Sequence, residues 1–207
     1  MILGWHGITR RCCRTNFTLR CKFAAERGVS TMKKRKLYSA DEASLIIESV
    51  TQSATKAMEQ IAMLPKEQAL RSLWSMKIEQ VGCDPLDADA PLNLIEQLNQ
   101  SFTYVASAKA VKVLLSLHPE LAPFTLNLGT TAGSDIESPK DGGLAAEVFA
   151  AVNTKNNRKL SKDIEKVGIV DAQFKYVFFM CPGYEPGRQA QLETRQDVEV
   201  WSVGPVL

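Results

Sequence analysis

The sequence predicts an α/β protein: a mixed sheet of about five strands flanked by helices, preceded by a helical region. Three observations carry this reading. Apolar residues recur at alternating spacings of four and three from Ala43 to Ile61, which is one face of a helix. From Pro123 the pattern becomes alternation, with Phe124, Leu126 and Leu128 set against Thr125 and Asn127, as in a strand. A lysine-rich segment of helical character then separates the apolar runs "LAAEVFAAV" and "FKYVFFMCPG", an arrangement that permits a right-handed parallel crossover.

The chain divides into a leader (1–36), a helical region (37–87) and an α/β domain (88–207). Residues 1–36 hold ten of the 25 Lys+Arg and one acid, Glu26. Residues 37–207 hold the other 15 against 22 Asp+Glu, a net of 15 − 22 = −7. The leader is Arg-rich and acid-poor, as a mitochondrial transit peptide is, yet "MKKRKLYSADEAS" from Met32 also reads as a true start after translated upstream sequence. Either way residues 1–31 are expected to pack poorly. Lys33, Lys34, Arg35 and Lys36 suit nucleic-acid contact and suit equally a solubilising start.

"SADE" at Ser39–Glu42 is a capping box, so the first helix starts there. Its stripe of Ala43, Ile47, Val50, Ala54, Ala57 and Ile61 serves either intrachain packing or a homodimer seam over residues 43–61. A second helix is expected from about Lys66 to Val81, with Leu70, Leu73, Trp74 and Ile78 on one side. "CDPLDADAP" reads as a polar loop. A third helix opens at Pro91, carries Leu94, Leu98, Val105, Ala108, Val111 and Leu115, and ends before Pro119 with His118 as a C-terminal cap.

After "PFTLNLG" come a short strand "SDIES", a strand "LAAEVFAAV", a helix over "NTKNNRKLSKDIEKVG", a buried strand "FKYVFFMCPG" and a last strand "DVEVWSVGP". "PGYEPG" at Pro182–Gly187 is a surface loop that could border a site. Gly129, Gly133, Gly142 and Gly143 read as turn formers, since no phosphate-binding glycine motif is present. Five cysteines without a CxxC pair, and only two histidines, give no zinc spacing; the thiols read as free and the compartment as reducing, hence cytoplasmic. No apolar run reaches the roughly 18 residues of a membrane span.

Period-two geometry puts Asp135 and Glu137 on one side of their strand, and Glu147, Phe149 and Ala151 on one side of the next. If those strands pair across the Pro139–Leu144 turn, Asp135 and Glu147 converge. Two such carboxylates repel each other unless a divalent cation lies between them; acids at strand ends are also common turn residues.

Acids so placed resemble the PD-(D/E)XK, restriction-endonuclease-like nucleases, in which a helix, three strands, a helix and a strand follow in order, with an acid on the second strand and E-x-K on the third. The resemblance covers about residues 88–203. Asp135 matches the first acid and Glu147 the second. The motif lysine falls at Phe149, which is a departure. Some members of the superfamily carry that lysine on the following helix, where this chain offers Lys155, Lys159, Lys162 and Lys166. The resemblance implies Mg²⁺, with Mn²⁺ as a substitute, held at Asp135, Glu147 and Val148 beside it, with Glu96 as a further ligand. It implies Lys159 or Lys155 as the catalytic lysine, and the four lysines as phosphate contacts.

The expected function is therefore metal-dependent DNA endonuclease. The alternative is a non-catalytic interaction or regulatory protein in which the helical region dimerises and the nuclease-like domain, with Phe149 in the lysine's place, has decayed.

Overall fold

The computed structural model describes residues 34–128, 133–139 and 143–206. The reading of residues 1–31 as a leader lies outside these, as do Gly129 and Gly142. The last residues of the basic run are strand: β1 (Lys34–Leu37) pairs antiparallel with β4 (Phe124–Asn127) and buries Leu37.

Helix α1 (Ala40–Ala62) starts where the capping box requires, with Ser39 Oγ accepting the Glu42 amide at 3.2 Å and Glu42 reaching back to the Tyr38 amide. Its buried residues are Ala43, Ile46, Val50, Ser53 and Ala57, a stripe rotated slightly from the expected one. Ala43, Ile46 and Val50 join the core against helix α3 (Leu94–Leu117) of the same chain, so the stripe offered as a dimer seam is covered in part, with Ala54 left exposed. The rotation has a polar cause. Gln97 of α3 donates to the Ser53 carbonyl at 3.1 Å and its Oε1 accepts the Cys83 amide at 2.9 Å, which draws Ser53 inward.

The "CDPLDADAP" segment is a hairpin, not a loop: β2 (Gly82–Asp84) pairs antiparallel with β3 (Asp87–Leu92). Pro91 therefore lies in a strand instead of opening α3, whose N-cap is Asn93, its Oδ1 taking the Glu96 amide. Proline is tolerated because this sheet has only two strands, and the Cys83 amide opposite is satisfied by Gln97.

The second helix departs most from expectation. A 3₁₀ turn at Lys66–Gln68 leads into α2 (Ala69–Ile78), which buries Ser72 and Ser75 while Leu70, Leu73, Trp74 and Ile78 stay more than half exposed. Ser72 Oγ is fixed to the Pro65 carbonyl at 2.8 Å, so the turn before the helix sets which side faces in.

The remaining strands are β5 (Ile136–Glu137), β6 (Leu144–Ala150), β7 (Phe174–Met180), β8 (Gly187–Arg188) and β9 (Glu199–Ser202). Helix α4 (Lys159–Gly168) joins β6 to β7. The main sheet has seven strands in the order β1-β4-β5-β6-β7-β9-β8; the β4-β5-β6 meander is antiparallel and β6, β7 and β9 run parallel. Core residues lie on both faces. Ala146, Val148 and Phe178 pack with α1 and α3, whereas Ala145, Phe149, Val177 and Phe179 pack with α4. This two-sided burial explains why β7 reads as a continuous apolar run. His118 caps α3 by position, but its ring turns away from the helix: Nε2 lies 2.7 Å from the Tyr176 hydroxyl. Among the described residues, no helix is long and apolar enough to cross a membrane.

The two kinds of apolar residue separate cleanly by mutation. Leu114→Ala, at a fully buried position of α3, is expected to cost about 2–5 kcal/mol. Trp74→Ser on α2 should change stability by no more than about 0.5 kcal/mol. Urea unfolding midpoints measure both.

Candidate active site

Asp135 stands immediately before β5. The approach to it is a tight turn: Gly133 takes φ +117°, and a Cβ there would meet Glu137 Oε1 at 2.6 Å. Asn127 then clamps the chain, its amide nitrogen donating to the Asp135 carbonyl at 2.8 Å and its side chain to the Ser134 carbonyl. Register completes the placement. Ile136 is paired with Ala146 and Glu137 with Ala145, so one more step outward sets Asp135 opposite Glu147. Ile136 and Ala146 face α1 and α3; Asp135 and Glu147 therefore share the other side, towards α4. Asp135 Oδ2 accepts the Val148 amide at 2.8 Å, fixing the carboxylate against β6.

Glu147 is 1% exposed, in the middle of a strand. Its Oε2 takes the Lys166 ammonium at 2.7 Å, and its Oε1 is buried with no hydrogen-bond partner. Helix α4 supplies a second ion pair, Lys159 to Asp163 at 2.7 Å, and Asp163 Oδ2 is likewise buried and unpartnered. Asp163 belongs to this cluster and is not among the site residues expected from the sequence. The signal was present: Leu160, Asp163, Ile164 and Val167 follow the i, i+3, i+4, i+7 spacing of the buried stripe.

The cluster thus holds three carboxylates and two ammonium groups, a surplus of 2 − 3 = −1. Burial raises the proton affinity of all three acids. For Asp135 the Val148 amide and the charges of Lys166 and Lys159 oppose the rise, and for Asp163 the Lys159 contact does so. For Glu147 the Lys166 hydrogen bond opposes it, but the charges of Asp135 and Asp163 add to it. The Lys166 ammonium loses hydration, yet Glu147 and the two neighbouring acids outweigh that loss and hold its proton more firmly than usual.

A groove of about 970 Å³ opens beside the cluster, at the carboxyl ends of β6 and β7. Asp135 and Lys159 line it, as do Asn99 and Phe102 of α3, Asn157, and Pro182 of the "PGYEPG" loop. Glu147 and Asp163 lie behind its wall.

The expected helix does not span all four lysines. Asn157 and Arg158 take left-handed backbone angles, φ 52° and 56°, within a 3₁₀ turn at Asn156–Arg158, so α4 starts only at Lys159. Asparagine tolerates that conformation better than most residues. Lys155 consequently sits before the helix and lines a smaller cavity of about 320 Å³ with Arg158 and Ser161. Lys162 is exposed on α4. Lys166 makes the contact with Glu147, while Lys159, one of the two lysines offered as catalytic, borders the groove with Asp135. Val148 enters the site through its N–H. Glu96 is exposed in the first turn of α3, and the groove begins one turn later at Asn99. Phe149, in the place of the motif lysine, is buried against Phe179.

Among the described residues, no three His, Cys, Asp or Glu side chains are grouped to hold a metal ion. Of the donors present, Asp135 borders the groove, whereas Glu147 on the same face of the next strand is enclosed and bonded to Lys166. They do not make an all-protein cage.

Fold and site together define an α/β protein with a buried carboxylate–lysine cluster beside a groove at the ends of parallel strands. Compared with known proteins, the chain matches no family model, no curated protein and no solved structure.

The uncompensated charge has a thermodynamic sign. An acid whose folded-state pKa is raised loses stability as pH climbs from its unfolded value through the folded one. Asp135→Asn keeps an acceptor for the Val148 amide and removes that loss. In EDTA the variant should melt above the parent at pH 8, with the gap closing towards pH 4; scanning calorimetry across pH reads it, and a gap that widens in acid contradicts the assignment.

Proposed function

We propose that this protein is a metal-dependent DNA endonuclease of the restriction-like type. The observation that carries the reading is the juxtaposition of Asp135 and Glu147 on one face of adjacent strands, with Lys166 of α4 bonded to Glu147 and the charge of Lys159 acting on Asp135. The order α3–β4–β5–β6–α4–β7 supports it, being the order that the sequence resemblance implies.

Asp135 and Glu147 would hold Mg²⁺ or Mn²⁺, whose part is to offset phosphate charge and make a water more acidic. The chain's own groups do the rest. The Val148 amide orients the Asp135 carboxylate. Lys166 keeps the Glu147 oxygen set fixed and ionised against the cost of burial. Lys159, at the groove edge and near Asp135, positions the attacking water; Asp163 holds that lysine in place. Exposed Lys155 and Lys162 would meet backbone phosphates.

A second reading draws on α2. Its exposed Leu70, Leu73, Trp74 and Ile78 form an apolar helix face that suits a protein partner, as in a non-catalytic interaction protein. The two readings predict opposite mutants. For the nuclease, plasmid is cut in Mg²⁺ or Mn²⁺, Asp135→Ala abolishes cutting, and Lys159→Met slows it by about 10²–10⁴-fold. Calorimetric titration of Mn²⁺ should give heat with the parent and little with Asp135→Asn or Glu147→Gln. Equal heats from all three, with function lost only in Leu73→Glu, favour the interaction protein.

A further inference from the structure

The large groove is not built like a duplex-binding surface. Residues 37–207 carry a net −7, while residues 153–166 hold five Lys+Arg against Asp163 and Glu165, a local +3. Next to the groove, net positive charge is concentrated on one ridge, the turn from Lys155 to Lys159 and the helix behind it. The left-handed pair at the crest faces two ways: Asn157 lines the large groove and Arg158 the smaller cavity, together with Lys155 and Ser161. The groove walls are largely apolar. Phe102 is 42% exposed and Val152 82% exposed, and Pro182 and Val206 complete that lining. Amide side chains, Asn99, Asn156 and Asn157, are set among them, each with a donor and an acceptor.

A stacked base pair shows its edges and its phosphates, and has no free face to lay on an apolar wall. An unstacked base has a face, an edge and an attached phosphate, and this groove with the ridge beside it offers a partner for each. We infer that the groove binds an unstacked nucleobase of single-stranded DNA, with the flanking phosphates on the Lys155–Lys159 ridge. This rests on the nuclease reading and narrows its substrate to single-stranded or locally melted DNA. Phe102 supplies the stacking surface, Asn156 and Asn157 contact the base edge, and Lys155 and Arg158 take the phosphates on the far side of the ridge.

The test is binding without metal, so cutting plays no part. Fluorescence anisotropy in EDTA would compare an oligothymidylate of about 20 nucleotides, the same strand with abasic units at its centre, and a duplex of equal length. Intact single strand should bind at least about tenfold more tightly than duplex, and the abasic strand should lose about fivefold or more. Phe102→Ala, at a half-exposed position, should lower affinity for the intact strand to the abasic level and leave abasic binding unchanged. The double variant Lys155→Ala/Arg158→Ala should weaken both strands and flatten the salt dependence. Equal affinity for intact and abasic strands, or tighter binding of duplex, overturns the inference and leaves the nuclease reading standing. Binding as expected, with no cutting in Mg²⁺ or Mn²⁺, removes the nuclease reading alone. No binding of any probe at low salt removes both.

Discussion

The layer between the sheet and α4 is governed by one constraint: two buried carboxylates and a third, half-buried one must share two ammonium groups. Each pair alone is ordinary. Lys166 and Lys159 are about half exposed, while Glu147 and Asp163 are almost wholly enclosed. The enclosed partner bears the desolvation, and the ion pair offsets only part of it. An apolar residue at either position would be simpler for folding alone. The surrounding structure is arranged so that the charges survive: the Val148 amide is directed at Asp135, Asn127 grips the chain before it, and α4 lies close enough for both lysines to reach inward.

Much of this was legible in the sequence. The capping box, the change of period at Pro123 and the apolar run of β7 gave α1, β4 and β7 directly, because each is set by local chemistry. The facing of Asp135 and Glu147 was also legible, since alternation along a strand leaves only two sides and Ile136 claims the core on one of them. What escaped depended on tertiary partners. The polarity of α2 is decided by the Ser72 bond to Pro65, so its apolar residues point outward against their own pattern. The hairpin β2–β3 depends on Gln97 from a different helix. The left-handed turn at Asn157 and Arg158 shortened the expected helix, moving Lys155 off it, and Lys166 meets Glu147. Asp163 was hidden by its company: flanked by charged residues, it looked solvated although its spacing belonged to the buried face.

Phe149 links the sheet chemistry to the groove. Its aromatic ring packs on Phe179, and the cations near the acids come from the crossover helix. The groove wall is therefore apolar at this strand position, and positive charge is concentrated at the amino end of α4 and in the turn before it. Charge and apolar surface are thus divided between a ridge and a trough lying side by side.

Lys166 and Lys159 ride on the same ten-residue helix, but its two ends are fastened differently. At the far end the Gly168 carbonyl accepts Lys175 at 2.9 Å and Arg195 at 3.4 Å, and a side chain at 168 would collide with Arg195 at 2.6 Å. At the near end Arg158 provides no side-chain cap. The helix is therefore moored at its tail by other segments, and at its head by an ion pair of its own, Lys159 to Asp163. Lys166 is braced against the sheet through Glu147, whereas Lys159 is braced on its own helix at the edge of the trough.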